Sequence, residues 1–96
     1  EMSICGGLTE VKDATPEIQT MCDGVKADVE EKAGKEYEIY TAKKYKSQIV
    51  SGTNYFIKVH VGGDDYIHIT INKHGYRMRL VGVQTNKTES DEIVYI

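Results

Sequence analysis

Cysteine is scarce in this chain, at two residues in 96, and proline occurs once. Small domains that lean on disulfides usually carry four or more cysteines in so short a length, so Cys5 and Cys22 read as free thiols in a reducing compartment. Long apolar runs are also missing. The longest, from Tyr55 to Val61, is interrupted by Lys58 and His60, which excludes a helical membrane span, and no secretory apolar region precedes the folded part. Positive charge is not in excess either. Twelve Lys and Arg face 15 Asp and Glu, for a net charge of −3, so there is no basic surplus to release phosphate counterions, and nucleic acid is excluded as a partner. The expected location is cytoplasmic, and the sequon Asn86-Lys87-Thr88 would matter only on secretion.

What is present fits one small globular domain. A chain this long buries roughly two-thirds of its extended surface on folding, enough for one core and no second lobe. From Glu1 to about Thr15 there is little periodicity, and the stretch reads as an arm rather than an element. Thr15-Pro16-Glu17 then supplies an N-cap hydroxyl, a proline where no N–H is needed and an acid at the positive helix end. Ile18, Met21, Cys22, Val25, Val29 and Ala33 form one stripe of an amphipathic helix closed by Gly34. Gly24 conflicts with it, at a cost of about 1 kcal/mol relative to alanine.

Beyond the helix the apolar period falls from 3.6 to 2. Ile39 and Tyr45 keep one parity while Tyr40 and Ala42 keep the other, which predicts a bulge between them. Tyr55, Ile57, Val59 and Val61 alternate in one strand and Ile67, Ile69 and Ile71 in the next, joined by a turn at Gly62-Gly63-Asp64-Asp65. A further strand follows Lys73-His74-Gly75, and the tail ending in Ile93-Val94-Tyr95-Ile96 is apolar enough to dock on the sheet. The fold class is α+β, a single N-terminal helix packed across an antiparallel β-sheet.

Reactive constellations are hard to assemble. His60 and His68 share the polar face of neighbouring strands, opposite or diagonal, but two imidazoles fall short of the three or four ligands zinc takes. They read as members of a solvated face. Cys5 lies on an untethered arm with no charge partner at fixed distance, so it is not an activated nucleophile. Lys43, Lys44 and Lys46 read as a solvated edge. No catalytic residue, metal ligand or cofactor is assigned, and the protein is not expected to be an enzyme.

Three segments stand apart as glycine-marked and uncharged by acids or lysines: Ile4-Cys5-Gly6-Gly7, Gln48-Ile49-Val50-Ser51-Gly52 and His74-Gly75-Tyr76. In a meander, the connections after residues 47 and 73 lie at one end of the sheet and the turn at 62–65 at the other. The arm reaches the first end too, so the three segments would form a narrow wedge. A β-turn requiring glycine would explain Gly52, but not the apolar Ile49 and Val50 beside it.

Gln48 to Gly52 matches the Gln-x-Val-x-Gly motif of cystatins. The strand Gly52-Thr53-Asn54-Tyr55-Phe56-Ile57-Lys58-Val59, the arm Gly6-Gly7-Leu8 and the stretch Ala14-Thr15-Pro16-Glu17-Ile18 resemble stefins, the intracellular type 1 cystatins. The resemblance covers nearly the whole chain, residues 1–96 forming one cystatin-like domain with residues 1–8 as a flexible arm. It implies reversible, tight inhibition of papain-like cysteine proteases such as cathepsins. Ile4, Cys5 and Gly6 would enter the non-primed subsites, and Gln48, Ile49, Val50, Ser51 and Gly52 would form the first inhibitory hairpin. His74, Gly75 and Tyr76 would stand in the place of the second loop, where the stefin Leu-Pro-Gly pattern is not kept. The competing reading is a cystatin-scaffold binding module without inhibitory power. A monomer is expected, with a domain-swapped dimer accessible by opening the 48–52 turn.

Overall fold

The computed structural model describes residues 10–94. Its elements are β1 (Lys12–Asp13), α1 (Pro16–Gly24), α2 (Lys26–Ala33), β2 (Thr41–Val50), β3 (Gly52–His60), β4 (Tyr66–His74) and β5 (Arg77–Lys87). The strands form one antiparallel sheet in the order β1-β2-β3-β4-β5. The expected α+β class is observed, with two corrections. The first concerns the segment before the helix, where Lys12 and Asp13 pair with Tyr45 and Lys44 and make a short edge strand. Two residues are too few to leave a period in the sequence, and the pairing is anchored from outside by an ion pair between Lys44 and Asp13.

The second correction is that the expected single helix is two. The start is as predicted, with the Thr15 hydroxyl accepting from the Ile18 N–H at 3.2 Å, a cap that contributes about 1 kcal/mol. Gly34 closes α2 in the left-handed region at φ 72°. Between them the ladder breaks at Val25, whose N–H reaches back only three residues to the Cys22 carbonyl at 3.2 Å. The Tyr40 hydroxyl donates to that same oxygen at 2.9 Å, and a side chain inserted into the ladder is a recognised cause of a break. A Cβ on Gly24 would lie 2.9 Å from the Met78 methyl carbon, the movable end of a flexible side chain, so this contact alone does not demand glycine.

The helical stripe packs on the odd-numbered face of the central strands, where Ile57, Val59, Ile67, Ile69 and Ile71 are fully buried against Ile18, Cys22 and Val29. Burial pushes the Cys22 thiol up to about 12, so it is an inert part of the core. The expected bulge falls between Ala42 and Lys44, and a second shifts β5 between its pairings with Thr70 and Ile71. Bulges add twist, which curls the sheet around the helices.

The even-numbered face departs from expectation. His68 is buried at 4% exposure, beside buried Phe56, Lys58 and Thr70, and is not part of a solvated face. A strap formed by residues 88–94 crosses it. The Lys58 ammonium donates to the carbonyls of Glu89 and Asp91, Lys46 donates to the Ile93 carbonyl at 2.8 Å, and Ile93 is buried. Lys46 and Lys58 therefore fasten the strap instead of facing open water. Asp91 accepts from the Thr88 N–H at 2.8 Å, which folds the strap's first turn and holds the Asp91 carboxyl below its ordinary range. His60 sits diagonally from His68 and donates to the Gly63 carbonyl at 2.8 Å, bracing the 62–65 turn.

Candidate functional site

The two hairpins predicted to share one end do so. In the first, Val50 pairs with Gly52 across Ser51 alone, and Gly52 takes φ 84°, a conformation L side chains rarely adopt. Its neighbour across the sheet explains the need for glycine further: a Cβ would lie 2.5 Å from the Lys73 carbonyl oxygen and 3.0 Å from the His74 ring. Main chain of one hairpin thus rests directly on main chain of the other. In the second, His74 pairs with Arg77, leaving Gly75 and Tyr76 as a two-residue turn opened by Gly75 at φ 64°.

Three side chains on this end are apolar and unshielded. Ile49 is 70% exposed, Val50 47%, and Tyr76 stands wholly in solvent. Burying such area is worth about 25 cal/mol per Å², and leaving it wet in a small protein marks a contact surface. Gln48 is buried at the root of the hairpin. Just below it the Asn72 side-chain amide donates to the Asn54 carbonyl oxygen at 2.7 Å, on paired positions of β3 and β4. This brace was not singled out in the sequence. Its only signal is that Gln48, Asn54 and Asn72 share the even parity and fall in one row.

Of the predicted site residues, Gln48, Ile49, Val50, Ser51, Gly52, His74, Gly75 and Tyr76 come together at one end of the sheet. Ile4, Cys5 and Gly6 lie outside the described residues. The direction of β1 bears on them, because it runs antiparallel to β2 and its N-terminal side faces the 50–52 turn. Among the described residues the arrangement brings together no activated nucleophile and base. Chemically it can present a rigid apolar edge built largely of backbone, and the described residues hold no group of three or more His, Cys, Asp or Glu that could hold a metal ion. No described helix is long and apolar enough to cross a membrane.

A helix pair wrapped by an antiparallel meander, with paired glycine hairpins at one end, defines a class that comparison with known proteins makes specific. Residues 6–89 match the cystatin domain. The chain is 53% identical over 96 residues to cystatin-B of Oplegnathus fasciatus, covering 96% of each chain. To cystatin-A of Mus musculus it is 50% identical over 95 residues, covering 96% of this chain and 98% of that one. It is 47% identical over 97 residues to leukocyte cysteine proteinase inhibitor 1 of Sus scrofa, covering 97% and 94%. The chain belongs to the cystatin family, in its stefin branch.

Proposed function

We propose that this protein is a reversible, tight-binding inhibitor of papain-like, cathepsin-type cysteine proteases and works by occluding their active-site cleft. The carrying observation is the exposed Ile49–Val50 pair on a hairpin whose glycine is pressed onto the second hairpin. Cleavage needs a substrate carbonyl about 3 Å from the thiolate in attack geometry. A turn closed by the Val50–Gly52 pairing has its backbone committed to the sheet and offers no extended peptide for attack. Ile49, Val50 and Tyr76 bring apolar area to be buried, while Ser51 and Gly52 keep the edge narrow. Because the wedge is folded before it docks, little ordering entropy is lost, and dissociation is slow.

The arm completes the wedge in this reading. Ile4 and Cys5 fill the non-primed subsites and Gly6 bends the chain away before the catalytic thiol. Removing residues 1–6 is expected to raise the dissociation rate with little change in association, as stopped-flow measurement would show; an unchanged off-rate would remove the arm from the mechanism. The cytoplasm is the proposed place of action. The monomer is the active form, and opening the 48–52 turn would give a swapped dimer that consumes the wedge, detectable by size exclusion after partial unfolding as an inactive species of twice the mass. Titration of active papain with the purified chain tests the central claim. Turnover should fall linearly to near zero at equivalence; undiminished turnover at excess protein would leave a binding module on a cystatin scaffold.

A further inference from the structure

The second hairpin carries a charge pattern that occlusion does not require. Lys73, Arg77 and Arg79 fall within seven residues, the two arginines are the chain's only ones, and no Asp or Glu occurs between Asp65 and Glu89. All three side chains are exposed. The ion pairs of the described residues lie elsewhere, joining Lys26 to Glu30, Lys35 to Asp65, Lys44 to Asp13 and Lys46 to Glu92. None involves Lys73, Arg77 or Arg79.

A protein of net charge −3 has acids to spare for neutralising a hairpin, yet this one is left cationic at its projecting tip. Arg77 is paired across the ladder with His74, which offers it no opposite charge. Arg79 is partly offset, since Asp28 and Glu31 of α2 border the same hollow, and Glu17 borders the hollow beside Lys73 without pairing with it. The least compensated charge is therefore Arg77, one residue from Tyr76, with Lys73 on the other strand. The far turn carries the acids Asp64 and Asp65, the second of them paired with Lys35 at 3.8 Å. Such a separation aligns an approaching molecule wedge-first in the field of an acidic target.

We infer that the Lys73–Arg79 hairpin is a cationic guide that favours papain-like proteases bearing carboxylates on the cleft wall the hairpin meets. This rests on the inhibitor reading and adds a basis for choosing among targets. Rim charges act mainly on the association rate and on its salt dependence. Lys73 and Arg77 supply the long-range attraction, and Tyr76 between them makes the short-range contact once the hairpin arrives.

The test is stopped-flow association of the full chain and of the Lys73→Gln/Arg77→Gln variant with two papain-like proteases, one with an acidic and one with a basic cleft rim. A Lys35→Gln/Lys87→Gln variant makes the same change of net charge at the opposite end and serves as control. With the acidic-rimmed enzyme at ~20 mM salt, the hairpin variant should associate about tenfold more slowly, the gap closing to under about twofold at ~500 mM. Its dissociation rate should stay the same, and with the basic-rimmed enzyme it should associate at least as fast as the wild type. Equal association rates and salt slopes for wild type and hairpin variant, with inhibition intact, would overturn the guide while sparing the occlusion mechanism. Equal slowing of the control would overturn it too, reducing the effect to net charge. Failure of the wild type to inhibit either protease would defeat the inhibitor reading, and the guide with it.

Discussion

Replacing Gly52 by alanine is expected to weaken inhibition of papain-like proteases by about 10–100-fold, a loss on the scale of an interface hot spot. It should also lower the free energy of unfolding by about 2–3 kcal/mol. Two costs combine. The residue sits at φ 84°, where an L side chain is strained by roughly 1–2 kcal/mol. Its Cβ would also meet the Lys73 carbonyl oxygen at 2.5 Å, and a backbone atom cannot swing aside as a side-chain end can. Either the tip of β2–β3 or the end of β4 must move, and each displacement spoils the alignment of the two hairpins. Ser51→Ala, at the exposed tip, should leave both quantities within twofold and about 0.5 kcal/mol. Active-site titration of papain and urea unfolding measured on the same preparations decide the matter; an alanine variant with wild-type inhibition would mean the wedge does not depend on that close approach.

Between pH 7 and pH 4 the fold should lose roughly 3 kcal/mol through His68 alone, a large share of the 5–15 kcal/mol that holds a typical domain together. Burial beneath the strap, with Lys58 and Lys87 nearby and against the pull of Asp91, holds the His68 imidazole down to about 4 from an ordinary 6.5. Gln84 faces it from β5, and neither ring nitrogen has a hydrogen-bond partner among the described atoms. In that interval the unfolded chain binds a proton the folded chain refuses, so stability falls as pH drops through 6.5 and the loss levels off below about 4. The depressed carboxyls of Asp13 and Asp91 give up their contributions below their ordinary 3.8, beneath this window. Urea midpoints at pH 7 and pH 4.5 should converge far less for wild type than for His68→Gln, whose profile should be nearly flat. Parallel profiles for the two would show that His68 is not the group responsible.

The readable parts of the sequence were those in which one residue type has one physical use. Thr15-Pro16 marks a helix start because a hydroxyl and a missing N–H suit that position and few others. The parity change around Lys43 marks a bulge because a slipped period has no other cheap origin. Gly52 and the apolar pair before it mark the wedge for the same reason. The break at Val25 depends on a tyrosine 15 positions later donating to the Cys22 carbonyl, which no local pattern encodes. The even face reads as solvated because Lys58, His68 and Thr70 are polar, whereas their burial is decided by where the strap crosses. Phe56, on the same parity, is the one residue whose character points to a covered surface.

The strap follows every strand it covers. Residues 88–94 leave a ribosome after every strand they cover, so until they dock Phe56 and the His68 ring stand open to solvent and to neighbouring chains. The helices, emitted first, can already shelter the other side of the sheet, and synthesis therefore leaves this molecule half-dressed, with the hazard confined to one face and ended by the arrival of Ile93.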